Sequence, residues 1–235
     1  MALTYRALGL LLTYPSDNLK SVAPVALDAI RAEKLVSSSL VHGLAGLVDE
    51  ILTEDIYDLQ ERYVLLFDRT RSLSLNLYEH VHGESRDRGQ AMAALVELYR
   101  SHGLELEAKE LPDFLPVFLD FLSTLPETDA ASLLGEAAHV LEAMAERLSK
   151  RDSAYRAVFA AMSAMASCAP DAATVAALLQ EPDEDPNDLT SLDKAWEETA
   201  VSFGPSDVGC PKAEAMLTAM NTDPEPPARR AGGVR

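Results

Sequence analysis

Residues 52–68 read LTEDIYDLQERYVLLFD, and their spacing decides the fold class. Leu52, Ile56, Leu59, Tyr63 and Leu66 recur at alternating intervals of four and three, which lines up one face of an α-helix and demands a buried partner. Phe67 flanks that face. Thr53 is placed to cap the helix, and Glu54 and Asp55 then fall in its first turn, where the helix dipole favours acids.

The same periodicity extends outward. The opening ALTYRALGLLLTYPS predicts a short apolar helix that stops before Pro15, and further helices are expected over residues 22–33 and 38–52. Downstream, Ser85 can cap a helix running through Arg100 to Gly103, and residues 112–125 form a short, very apolar one with Pro112 in its first turn. Leu134, Ala137, Leu141, Met144 and Leu148 stripe one long helix closed by Lys150 and Arg151. Tyr155, Val158, Phe159, Met162 and Met165 stripe the next, with Ser153 between them, so the two predict an antiparallel hairpin. Asp171 can cap a short helix to Gln180. Alternating Val/Ile/Thr-rich runs are absent, and the expectation is an all-α chain.

Three regions are expected: an all-helical domain over residues 1–181, an acidic linker with one short helix over 182–203, and a mobile, disordered tail over 204–235. With 48% hydrophobic residues the chain can bury a sizeable core. A formal charge of −18, from 38 acidic against 20 basic residues, repels nucleic-acid phosphates and anionic headgroups, so neither nucleic acid nor membrane is an expected partner. Cys168 and Cys210 form no metal-ligand pattern, no signal peptide is recognisable and no apolar run reaches the length of a membrane span, which suits a reduced, cytoplasmic protein.

Residues 78–89, YEHVHGESRDRG, carry the unusual chemistry: two histidines, three acids and two arginines around two glycines. His80 and His82, with Glu79 and Glu84 beside them, could ligate a metal only from an extended segment, and no second His/Cys cluster completes a set; a hydrogen-bonded loop histidine is the plainer expectation. Gly83, Ser85, Arg86, Arg88 and Gly89 at a helix N-terminus could instead hold a phosphate, although no GxxxxGK[ST] pattern is present. A nucleotide-binding helical switch or enzyme using Arg86 and Arg88 therefore stands as the alternative function. Those arginines also oppose the helix dipole. Two accounts of them stay open: a brace in which Asp68, Glu79, Glu84 and Asp87 pair with Arg86 and Arg88, and a docking surface built on that frame.

The run YVLLFDRTRSLSLNLYEHVHGESRDRGQAM, with ELPDFLPVFLDFL and LDKAWEE after it, closely resembles the NarJ family, the chaperones that assemble respiratory nitrate reductase. The resemblance implies a single-domain TorD-like helical bundle without catalytic activity, metal or resident cofactor. Its implied partner is the nitrate reductase catalytic subunit, held by an N-terminal leader-like peptide until the molybdenum cofactor is inserted and before membrane docking. Carried over by position, Tyr63, Phe67 and Asp68 match a Y-x-x-x-F-D segment; Glu79, His80, His82, Glu84 and Arg86 match the central loop; Pro112 and Asp113 match L-P-D. Phe114 stands where many members of the wider family have histidine. The groove expected for the peptide is lined by Tyr63, Phe67, Phe114 and Phe118, and YEHVHGESRDRG forms its polar wall.

Overall fold

The computed structural model describes residues 2–82, 86–106 and 110–180, with the side chains of His82 and Arg86 left aside. The linker and short helix expected over 182–203, the tail over 204–235 and the cap at Ser85 lie outside the described residues. Eleven α-helices form among those described: α1 (Leu3–Leu11), α2 (Asp17–Glu33), α3 (Ser38–Thr53), α4 (Ile56–Tyr63), α5 (Leu77–His82), α6 (Arg86–Ser101), α7 (Leu115–Thr124), α8 (Glu127–Glu136), α9 (Ala138–Lys150), α10 (Arg156–Met165) and α11 (Ala172–Gln180). The fold is all-α, as the periodicity requires. No strand forms among the described residues; an isolated bridge joins Asn76 to Phe114.

The stretch that decides the fold behaves as a helix, with its start shifted. Thr53 ends α3, and Asp55 caps α4 by accepting the Tyr57 N–H at 2.8 Å. Leu52 thus belongs to the preceding helix and is exposed, whereas Leu59, Tyr63, Leu66 and Phe67 are buried. Leu66 and Phe67 both turn inward because residues 64–68 form one π-helical turn, closed by an Arg69 N–H to Val64 oxygen bond of 3.0 Å.

Four other boundaries differ from expectation for local reasons. Ser16 accepts the Leu19 N–H at 3.2 Å, so α2 starts at Asp17 and carries Pro24 inside it. Pro112 sits in a turn, while Pro116 takes the first-turn position of α7. The long stripe from Leu134 to Leu148 is two helices broken at Ala137. Just before the break Gly135 lets residues 167–168 pack on α8: a Cβ there would lie 2.8 Å from Ser167 Oγ and 3.0 Å from Cys168 Sγ, and Cys168 Sγ donates to the Gly135 oxygen at 3.3 Å. The fourth correction concerns YEHVHGESRDRG, whose first residues are the helix α5, not a loop.

Packing follows from the apolar faces. α1 lies between α2 and α7, α3 bridges α2 and α10, and the expected hairpin of α9 on α10 forms with α11 against α9. Gly9 lets α1 approach α7 closely, since a Cβ there would lie 3.1 Å from the Pro116 oxygen. The core stripe of α10, from Tyr155 to Met165, is buried throughout.

Candidate functional site

A chain crossing brings residues 111–114 against residues 74–78. The Leu77 N–H donates to the Asp113 oxygen at 3.1 Å and the Leu115 N–H to the Leu75 oxygen at 2.8 Å, on either side of the Asn76–Phe114 bridge. Asp113 Oδ2 then accepts the Tyr78 N–H at 3.0 Å, which satisfies a first-turn donor of α5. The Tyr99 hydroxyl donates to the Pro112 oxygen at 2.6 Å. Within the same frame His80 Nε2 lies 2.8 Å from the Ser74 oxygen, so this histidine is turned inward and buried.

Beside this crossing opens an apolar groove of about 460 Å³ between α5, α6, α7, α8 and α9. Leu77, Val81, Ala94, Leu95, Leu98, Phe118, Leu133, Ala137 and Val140 line it, joined by Tyr78, Asp113, Glu136 and His139. That volume and lining suit the apolar face of a short helix. Asp113 is fully buried, and its Oδ1 has no hydrogen-bond partner among the described residues. Burial raises its carboxyl above the ordinary range, against the opposing pull of the Tyr78 N–H and of Arg88.

The expected site residues divide into two places. Phe118 and Asp113 reach the groove, and Pro112 and Phe114 belong to the turn that frames it. Tyr63 and Phe67 lie elsewhere, in an aromatic core cluster: their centroids are 5.0 Å apart, with Tyr14 at 5.5 Å from Tyr63 and Tyr155 at 5.1 Å from Phe67. The Tyr63 hydroxyl donates to the buried Leu12 oxygen at 2.9 Å. Sequence alone did not separate the aromatics that line a groove from those that fill the core.

Arg88 Nη2 pairs with Glu79 Oε1 at 3.0 Å and ties α6 to α5. The brace thus exists in part. Among the described residues neither Asp68 nor Asp87 forms an ion pair, and both are exposed. Glu84 and the side chains of His82 and Arg86 lie outside the described residues. Arg88, one of the two arginines of the phosphate alternative, has its guanidinium engaged by Glu79.

Among the groove residues that sequence reasoning missed are Leu95, Leu98, Glu136 and His139. The three-residue spacing of Leu95 and Leu98 was an available signal; nothing local marked Glu136 or His139.

Residues 34–161 match the family described as nitrate reductase delta subunit. The chain is 40% identical over 209 residues to the nitrate reductase molybdenum cofactor assembly chaperone NarJ of Escherichia coli K12, covering 89% of this chain and 87% of the relative. It is 36% identical over 198 residues to the probable assembly chaperone NarW of the same strain, covering 84% and 82%. A probable NarJ of Bacillus subtilis is 28% identical over 155 residues, 65% of this chain and 82% of that one.

Proposed function

The chain belongs to the nitrate reductase delta subunit family, and from that premise we propose that it is a chaperone for molybdenum cofactor assembly of a nitrate reductase, without catalysis of its own. It holds the catalytic subunit by an N-terminal, leader-like segment in the cytoplasm, keeping it competent for cofactor insertion before membrane docking. The molybdenum cofactor is the cargo of that partner.

The observation that supports this most directly is the groove between α5, α6, α7, α8 and α9, apolar along its length with carboxylates of Asp113 and Glu136 on its lining. A helix laid into such a groove contributes affinity through apolar burial, and an acidic lining selects a segment that carries basic residues. Among the described residues no helix is long and apolar enough to cross a membrane.

Calorimetric titration of the full chain with a peptide of about 15 residues from the N-terminus of the catalytic subunit tests the proposal. Saturable one-to-one binding with a negative heat-capacity change is expected. No heat with the peptide, together with saturable binding of GTP or ATP, would overturn it in favour of the nucleotide alternative.

A further inference from the structure

Arg88 stands in the first turn of α6, where the helix dipole opposes a cation, and a bound leader does not account for it. Its side chain is 21% exposed and that of Glu79, its partner on α5, 23%, so the pair is largely withdrawn from water. Nη2 serves Glu79, while Nε is buried with no hydrogen-bond partner among the described residues, and Asp113 Oδ1 on the groove lining is left in the same way. Asp113 belongs to the same run of contacts, since its Oδ2 accepts the N–H of Tyr78, the residue before Glu79. Burial raises the Asp113 carboxyl; within the cluster Arg88 pulls it down and Glu79 pushes it up. Leu95 and Tyr99 follow Arg88 at intervals of seven and eleven residues, within about 20° of it around the helix. Leu95 lines the groove and the Tyr99 hydroxyl donates to the Pro112 oxygen at 2.6 Å. One face of α6 thus meets α5 through Arg88 and the turn of residues 111–114 through Tyr99, with groove wall between them.

We propose that Arg88 is the positioning residue of this groove: its guanidinium is the shared counter-ion of Glu79 on α5 and of the buried Asp113, and by serving both it sets where the α5 wall, Leu77 and Val81, stands against the α6 wall, Leu95 and Leu98. A guanidinium carries donors in several directions, Nε among them, which a lysine ammonium does not reproduce. Without that charge two carboxylates share a largely desolvated cluster, and their repulsion drives α5 and the 111–114 turn apart, so that the apolar walls no longer fit one helix. The inference rests on the leader-segment reading above and adds to it a residue that touches no part of the peptide yet decides how tightly it is held. It also gives the first-turn arginine a role that outweighs its conflict with the dipole.

The test titrates the full chain and its variants with the N-terminal peptide of the catalytic subunit, at a temperature where circular dichroism shows every chain folded. Arg88→Gln is expected to weaken binding about tenfold or more at unchanged stoichiometry, the scale of leaving a buried charge without its partner. Glu79→Gln should cost less, because the counter-ion of Asp113 remains, and Arg88→Lys should fall between Arg88→Gln and the parent. In an Asp113→Asn chain, which has no buried charge to compensate, Arg88→Gln should weaken the peptide markedly less than it does in the parent. Arg88→Lys and Glu79→Gln keep the experiment readable if Arg88→Gln does not fold. A folded Arg88→Gln chain that melts lower but binds the peptide as the parent does would make Arg88 a structural brace only, and the proposal fails while the leader reading stands. Equal losses in Arg88→Gln and Glu79→Gln, unchanged by Asp113→Asn, would also overturn it, since the α5–α6 pair then acts without Asp113. If the native peptide does not bind the parent, both readings fall together.

Discussion

Arg147 on α9 donates from Nη1 to the backbone oxygen of Ser72 at 2.8 Å, across 75 residues of chain. From Nη2 it donates to the Leu178 oxygen in α11 at 2.6 Å, and the side chain as a whole is 2% exposed. One guanidinium thus fastens the segment leading to the groove frame and the last described helix to α9. Its fork carries donors in two directions, which a lysine ammonium at that depth cannot reproduce.

Replacing it should be costly. Arg147→Met leaves two backbone oxygens without their donor, at about 1–3 kcal/mol each where burial persists. Thermal denaturation followed by circular dichroism should show a fall of roughly 5 °C or more, given about 2–4 °C per kcal/mol for domains of this size. A melting temperature within a degree of the parent would mean that the oxygens find other donors.

Glu33 secures the start of α1. Its Oε1 accepts the Leu3 N–H and its Oε2 the Thr4 N–H and Thr4 hydroxyl, each at 2.7 Å, so the end of α2 caps the start of α1. Burial works against the charged form, but the bonds from Thr4 and Leu3 outweigh it and hold the carboxyl below the ordinary glutamate range. A folded value below the unfolded one contributes stability that is present above the unfolded value and lost as pH falls through the folded one. Glu33→Gln should therefore be less stable than the parent at pH 7, by about 1 kcal/mol on the scale of helix caps, and the gap should narrow below about pH 4. Urea denaturation at pH 7 and pH 3 measures both; a gap that widens in acid contradicts the assignment.

Asp113 should show the opposite slope. Burial raises its carboxyl, so ionisation costs stability as pH rises from the unfolded value, about 4, through the folded one. Asp113→Asn can keep the oxygen that accepts the Tyr78 N–H but has no charge to bury. The stability of the variant relative to the parent should rise between acidic pH and neutrality. Melting curves of both chains at a series of pH values decide it; a relative stability that falls over that range would show that the buried charge is favoured by partners in the fold.

Phe67 and Val81 separate core from groove. Phe67 is 5% exposed and packed among Tyr63 and Tyr155, so Phe67→Ala should cost about 3–5 kcal/mol of stability, the usual range for emptying a buried aromatic site. Val81 is 53% exposed and lines the groove, so Val81→Lys should leave the melting curve near the parent while weakening the leader peptide through lost apolar contact and added like charge. Unaltered peptide affinity in folded Val81→Lys would move the contact surface away from this groove.

What the sequence determined alone is what depends on near neighbours along the chain. The stripes of α9 and α10, the Ser153 turn between them and the Asp171 cap, whose Oδ2 accepts the Thr174 N–H at 2.8 Å, were all legible, because spacing and cap chemistry act within one or two turns. The resemblance carried by YVLLFDRTRSLSLNLYEHVHGESRDRGQAM pointed to the family that the comparison then identified. Tertiary structure decided which of two apolar aromatics faces a groove, since Tyr63 and Phe118 look alike until α7 and α10 are in place. It also decided that His80 turns to Ser74, that the long stripe breaks at Ala137 where Gly135 meets Ser167, and that Arg147 is a buried clamp and not a solvated charge. The groove itself arises from helices that begin 61 residues apart, from Leu77 to Ala138, and the free energy that places Asp113 and Glu136 along it comes from burying faces that no local pattern pairs.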